Sequence, residues 1–261
     1  MFDSIQKAVS SFTAKPLPFI TVASIHLLTQ MLLLFSVAGL FLIIFFTASL
    51  ARITIDSTML MAIAAILGII FLYFVSGIKG AAFKAYHEAL NNRKFGFFQF
   101  YDYVVKNSGR YFGLFLARAM VAAVPIGIML AAYYFLIKRW PIPYLDIIVG
   151  IISAGVLFLV YYLFYGSFIS ASLYDTNLKA SLKKCFRYIK SAHIFALILY
   201  AAYAIIWLTQ FIPIINLVTL FVTFPIAYTS MDVYFEKMSG TGGSGAQKKQ
   251  KKEQKEESGE D

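Results

Sequence analysis

Few side chains in this chain combine reactive chemistry with a setting that would use it. Arg118 is the only basic residue well inside an apolar stretch, and an ion held within lipid is a candidate functional group because its burial must be compensated. With Asn216, Thr219 and Thr223 of the last apolar stretch it makes up a candidate intramembrane polar site. His26 with Gln30, and Thr209 with Gln210, could extend that polar path. The plainer alternatives are that Arg118 snorkels to the headgroups or pairs with Asp175 or Asp232, and that the others make interhelical hydrogen bonds worth about 0.6 kcal/mol each. No acid is expected at mid-membrane to relay a proton.

The second set of candidates is cationic. Lys179, Lys183, Lys184, Arg187 and Lys190, together with Lys106 and Arg110, recur at helical spacing beside apolar residues. That pattern attracts anionic lipid headgroups or a soluble partner, each Lys or Arg near anionic lipid contributing roughly 1 kcal/mol.

Other chemistries lack their residues. His26, His87 and His193 lie in separate segments without cysteine or acidic partners at ligand spacing, so no metal site is expected. The single cysteine, Cys185, excludes an intrachain disulfide framework and reads as a small packing group. No Gly-rich phosphate loop, nucleophile elbow or HExxH stands in the chain, so neither an enzyme nor a cofactor is expected.

These residues have to be positioned by membrane helices. With 60% hydrophobic and 14% charged residues, a water-soluble fold would hold far more apolar surface than it could bury. Six stretches, at 19–50, 59–78, 111–137, 147–169, 194–212 and 214–234, are long enough to cross a bilayer. They lack the alternation of membrane strands, so the spans are helices. Residues 52–57 join the first pair closely, and Pro213 with Asn216 turns the last pair into a hairpin. The start of the chain lacks the features of a cleaved secretory signal, so the first span is expected to remain in the mature protein.

Charge sets the orientation. Lys7, Lys15, Lys79, Lys84, Arg93, Lys94, Lys106, Arg110, Lys179, Lys183, Lys184, Arg187, Lys190 and Lys237 fall on one side, against Arg52, Lys138 and Arg139 on the other. Fourteen against three makes the first side cytosolic, both termini included. Tyr133, Tyr134, Trp140, Tyr144 and Trp207 mark the opposite interface. Pro125 and Pro225 predict kinks or hinges, and Gly77 with Gly80, like Gly150 with Gly155, allows close helix contact.

A rhythm also recurs. Phe2, Ile5 and Val9, then Phe98, Tyr101 and Val105, then Leu182, Cys185 and Ile189 form apolar stripes, each just ahead of an outward-going span. The chain therefore reads as three units of amphipathic helix plus transmembrane hairpin, with cytosolic helices near 1–18, 97–108 and 178–191. Either lipid or the bundle covers those stripes. Residues 239–261 open with Gly and Ser and continue with five lysines balanced by five acids, a disordered tail of neutral net charge. It could be an arm for lipid, nucleic acid or a soluble partner, but a solvating tail is the simpler reading, and nucleic acid is not the expected partner.

The stretch Gly166-Ser-Phe-Ile-Ser-Ala-Ser-Leu-Tyr-Asp175, followed by Leu178-Lys-Ala-Ser-Leu-Lys-Lys184, and Pro225-Ile-Ala-Tyr228, resembles the membrane domain attached to some glycerophosphodiester phosphodiesterases and related six-helix proteins of bacteria and archaea. The resemblance implies a membrane module. The phosphodiesterase domain itself is not in this sequence, so that activity does not carry over.

The sequence thus predicts an all-α polytopic membrane protein over 19–238, of cell-membrane type, with both termini cytosolic. Its expected function is that of a non-enzymatic scaffold whose basic face binds anionic lipid or a soluble partner. The alternative is a small-solute transporter or channel, against which stands the scarcity of mid-membrane charge.

Overall fold

The computed structural model describes residues 1–53, 55–139, 144–209 and 218–239, and among them all regular structure is helical. The helices are α1 (Phe2–Ala14), α2 (Pro16–Leu50), α3 (Ser57–Leu90), α4 (Phe97–Arg139), α5 (Leu145–Tyr174), α6 (Leu178–Leu208) and α7 (Phe224–Met238). A π-helical turn, Thr219–Thr223, leads into α7. Pro225 sits just beyond it, and its ring excludes the carbonyl four residues back, Phe221, from the usual bond. The kink expected at Pro225 takes the form of this widened turn, whereas α4 continues through Pro125.

Local chemistry sets the boundaries. Lys15 is extended (φ −145°) because a proline follows, and Pro16 opens α2 where its missing N–H is not needed. Asp56 caps α3 by accepting from the Met59 amide at 2.7 Å. Gln99 reaches back to accept from the Gly96 amide at 3.0 Å, the return arm of a capping box at the start of α4. Asp175 takes a left-handed conformation (φ 48°) to end α5, and Asn177 accepts from the Ala180 amide at 3.0 Å to start α6.

Among the described residues, four segments are long and apolar enough to cross a membrane: Pro16–Leu50, Ser57–Leu90, Phe97–Phe135 and Ile147–Tyr174. The two arms of α6, Leu178–Ala192 and Ile194–Ile206, pass together as a fifth, although they turn through 109°. The hairpin expected at Pro213 and Asn216, together with Trp140, Gln210 and nearly all of the 239–261 tail, lies outside the described residues. The side chains of His193 and Trp207 do as well.

Helix α3 continues for three turns beyond 78, where the second span is expected to end, to Leu90. Polar residues end the lipid-compatible part of a helix without breaking its hydrogen bonds, and Ala81, Ala82, Ala85 and Ala89 favour continuation. The amphipathic helix near 97–108 and the third span are one continuous helix, α4. The three segments in which the rhythm recurs continue differently: α1 is followed by a break at Lys15, α4 runs on unbroken, and α6 turns sharply after its first arm.

The core gathers at one end of the bundle. Phe83, Tyr86, Tyr111, Phe168, Tyr188 and Phe235 are fully buried there. Cross-links tie the same end together: Lys237 to Asp3 (3.0 Å), Lys15 to Asn92 (2.9 Å) and His87 to Glu236 (3.8 Å). Away from it, large apolar side chains such as Phe35, Leu42, Phe46, Ile66, Ile128, Phe135 and Ile151 are exposed, which a bilayer would cover. The glycine expectations divide. Gly77 and Gly80 are held against Ser108 and Tyr111 of α4, leaving no room for a Cβ, while nothing lies within 4 Å of that position at Gly150 or Gly155.

Candidate functional site

The basic end has an outer surface, a polar rim and a cavity beneath it. On the surface, the first arm of α6 turns Ser181, Cys185, Tyr188 and Ala192 into the core. Cys185 donates to the Leu163 carbonyl at 2.9 Å and packs at Gly166. Protein therefore covers the apolar stripe of this helix. The opposite face presents Lys179, Lys183, Arg187 and Lys190, all exposed and none in an ion pair among the described residues. Lys184 is half-buried with its Nζ 3.6 Å from the centroid of Tyr174.

The stripe on α4 has the opposite fate: Phe100 and Val104 enter the core, leaving Phe98 (85% exposed), Tyr101 and Val105 outside. The stripe on α1 is divided, with Ile5 partly buried against the core beside Ser4 and Ala8 while Phe2 (75% exposed) and Val9 remain outside. Lys106 pairs with Asp102 at 2.8 Å, one turn along the same exposed surface of α4.

The rim centres on Asp175. Its carboxylate accepts from Arg110 at 3.2 Å and from Tyr103 at 3.4 Å, and Lys84 stands 4.0 Å away. Tyr103 meets Tyr111 hydroxyl to hydroxyl at 2.8 Å, and Tyr111 meets Ser172 at 3.0 Å. Helical spacing explains the convergence: Tyr103, Asn107, Arg110 and Tyr111 share one face of α4, and Arg110 also donates to Asn107 at 2.8 Å.

Below the rim, α3, α4, α5 and α6 surround a cavity of about 380 Å³. Arg118, two turns deeper along α4 than Arg110, projects into it. Only 6% exposed, it lies 3.7 Å from the centroid of Tyr161 and 5.5 Å from that of Phe168. Lys79 of α3 lines the same cavity, 5.5 Å from the Phe168 centroid and 5.8 Å from that of Tyr203. Ser76, Tyr161, Tyr200 and Tyr203 supply hydroxyls, and no carboxylate is among the lining residues.

Several expectations change here. Arg118 pairs with neither Asp175, which Arg110 and Lys84 occupy, nor Asp232. It turns sideways onto aromatic faces rather than out to the interface. Lys79, counted from the sequence among the charges at the mouth of the second span, belongs inside the cavity because α3 extends past it. The sequence did hold a signal for this, since Leu72, Val75, Ser76 and Lys79 fall on one helical face.

The polar residues grouped with Arg118 do not join it. Thr219 is buried and meets Thr209 at 3.0 Å, Thr223 donates to the Val218 carbonyl, and neither lines the cavity. Asn216 lies outside the described residues. His26 is buried against Gln30 at 3.1 Å. Asp232 of α7 is wholly inaccessible, and among the described residues neither of its oxygens has a hydrogen-bond partner. The hydroxyls of Tyr86, Tyr165 and Tyr188 are buried and likewise have no partner among the described residues.

No family model matches this chain, and no curated protein or solved structure matches it either.

Proposed function

We propose that this integral membrane protein is a non-enzymatic scaffold that binds anionic lipid at its basic end, with that end in the cytosol. One observation carries the reading: Lys179, Lys183, Arg187 and Lys190 form an exposed row on the first arm of α6, with no acidic partner among the described residues. Exposed cations that spend no charge on neighbouring acids are available to anionic headgroups. The exposed apolar residues Phe98, Tyr101 and Val105 give α4 the complementary means of entering the headgroup layer. The order of elements around Gly166–Asp175 and Leu178–Lys184 also fits kinship with the glycerophosphodiester phosphodiesterase membrane domain, since one helix ends in small residues and a basic amphipathic arm follows.

The test is lipid selectivity in mixed anionic and zwitterionic nanodiscs. Wild-type protein should enrich anionic lipid at its boundary, and K179Q/K183Q/R187Q/K190Q should lose that enrichment without losing its fold. Equal enrichment in both proteins would defeat the proposal. Transport of a small solute is the second reading, favoured by the π turn ahead of Pro225 and the bend in α6, the kind of discontinuity on which transporters build. Solute flux into liposomes that exceeds the protein-free control would support it.

A further inference from the structure

The cavity beneath the rim contains an electrostatic problem that the chain does not solve with its own residues. Lys79 and Arg118 approach the same Phe168 ring to the same distance, 5.5 Å, from two different helices. Like charges held against one ring repel, and the more strongly the less water lies between them. One layer outward, the rim cations Arg110 and Lys84 share Asp175. The deeper pair has no acid among the residues lining its cavity. Aromatic faces stabilise each cation but leave both charges in place.

We propose that this cavity seats the acidic headgroup of one anionic amphiphile between Lys79 Nζ and the Arg118 guanidinium. An anion there turns one repulsion into two attractions. The guanidinium offers a planar fork suited to carboxylate or phosphate oxygens, and the ammonium adds a point charge. Tyr161 and Tyr200 line the same cavity and bring hydroxyls that can donate to the remaining oxygens, whereas the Tyr203 hydroxyl already meets that of Tyr228 at 3.4 Å.

The remaining walls indicate a tail. Leu72, Val75 and Ala204 are apolar, and Leu72 is exposed on the outer surface of α3, so an acyl chain can leave the cavity into lipid beside it. A volume of about 380 Å³ holds a headgroup and the first methylenes of a chain, and the rest of the chain lies outside. The ligand class is thus an acid with an apolar tail, either a fatty-acid carboxylate or a lipid phosphate. The site is separate from the α6 surface, so either can fail without the other.

The experiment uses the full chain, purified in mild detergent and stripped of lipid. Oleate, lysophosphatidic acid, and the uncharged monoolein as control are added in turn, with binding followed by native mass spectrometry and thermal shift. Wild type should take up one equivalent of an acidic ligand and melt at a higher temperature, whereas monoolein should do neither. Retention of oleate alone identifies a carboxylate site, of lysophosphatidic acid alone a phosphate site, and of both a site selecting on charge.

K79Q/R118Q should weaken binding roughly thirtyfold or more, as expected on removing the partners of a buried charge. R118K should retain part of it, and K179Q/K183Q/R187Q/K190Q should bind as wild type does. If the double variant does not fold, the single K79Q variant is read by thermal shift, which should be reduced or lost. Equal binding of monoolein, or acidic ligands bound as tightly by the Lys79 and Arg118 variants as by wild type, overturns the proposal.

Discussion

The Tyr111 ring fills the space beside Gly80 where any other residue would carry its Cβ. Tyr111 is in turn stacked on Phe168, with centroids 6.0 Å apart and planes at 22°. The close approach of α3 to α4 therefore sets the ring against which Lys79 and Arg118 both lie. Replacing Gly80 by Ala should cost about 1–3 kcal/mol through overpacking and lower the thermal unfolding midpoint. Gly150→Ala, with open space around it, should lose nothing. Equal melting of the two variants in detergent would show that the α3–α4 contact is not as tight as described.

At the rim, Arg110 is largely sheltered and Asp175 largely exposed. Lys84 is as sheltered as Arg110 but stands 4.0 Å from the carboxylate, so a double-mutant cycle on Lys84 and Asp175 should give a coupling below about 0.5 kcal/mol. The Arg110–Asp175 cycle should give the larger value, nearer about 1 kcal/mol, because its geometry is closer and Tyr103 shares it. Chemical unfolding of R110A, D175N and the double variant measures it.

Acid should loosen α1. Lys237 donates to Asp3 at 3.0 Å, and that hydrogen bond and charge hold the Asp3 carboxyl below its ordinary value of 3.8. A depressed carboxyl stabilises the fold above its unfolded value, and that contribution fades as pH falls through the lowered one. Hydrogen-exchange protection of residues 2–14, corrected for intrinsic rates, should be level between pH 5 and 7 and decline below 3.8. In K237A the protection should be lower between pH 5 and 7, show no such acid step, and meet the wild-type value once Asp3 is protonated.

Asp232 is the buried carboxyl for which the described residues provide no hydrogen bond. Burying such a group costs stability unless it is paired, so an apolar side chain of similar volume is tolerated. D232L and D232N should melt at or above the wild-type temperature. A marked fall in both would reveal an interaction at Asp232 that the described contacts do not contain.

The parts of this fold legible in sequence are those governed by solvent. Apolar run length and lysine placement follow from the bilayer directly, and the helices at 16–50 and 145–174 fall where those runs do. What escaped depends on which distant segment packs where. The stripe of Leu182, Cys185 and Ile189 has the same spacing as that of Phe98, Tyr101 and Val105, yet α5 and α7 cover the first and leave the second bare. Lys79 reads as a mouth charge until α3 is seen to run to Leu90, and the burial of Asp232 depends on what surrounds α7. Arg118 was identifiable by depth alone, but its partners were not.

The topology itself is open to one direct measurement. Single cysteines at Lys106, Lys183, Arg52 and Tyr144 in a C185A background, all exposed positions, can be probed with a membrane-impermeant maleimide on sealed vesicles of known orientation. Positions 106 and 183 should react only from the cytosolic side, and 52 and 144 only from the opposite one. Labelling of all four from a single side would contradict a chain that crosses the membrane with its basic residues gathered at one end.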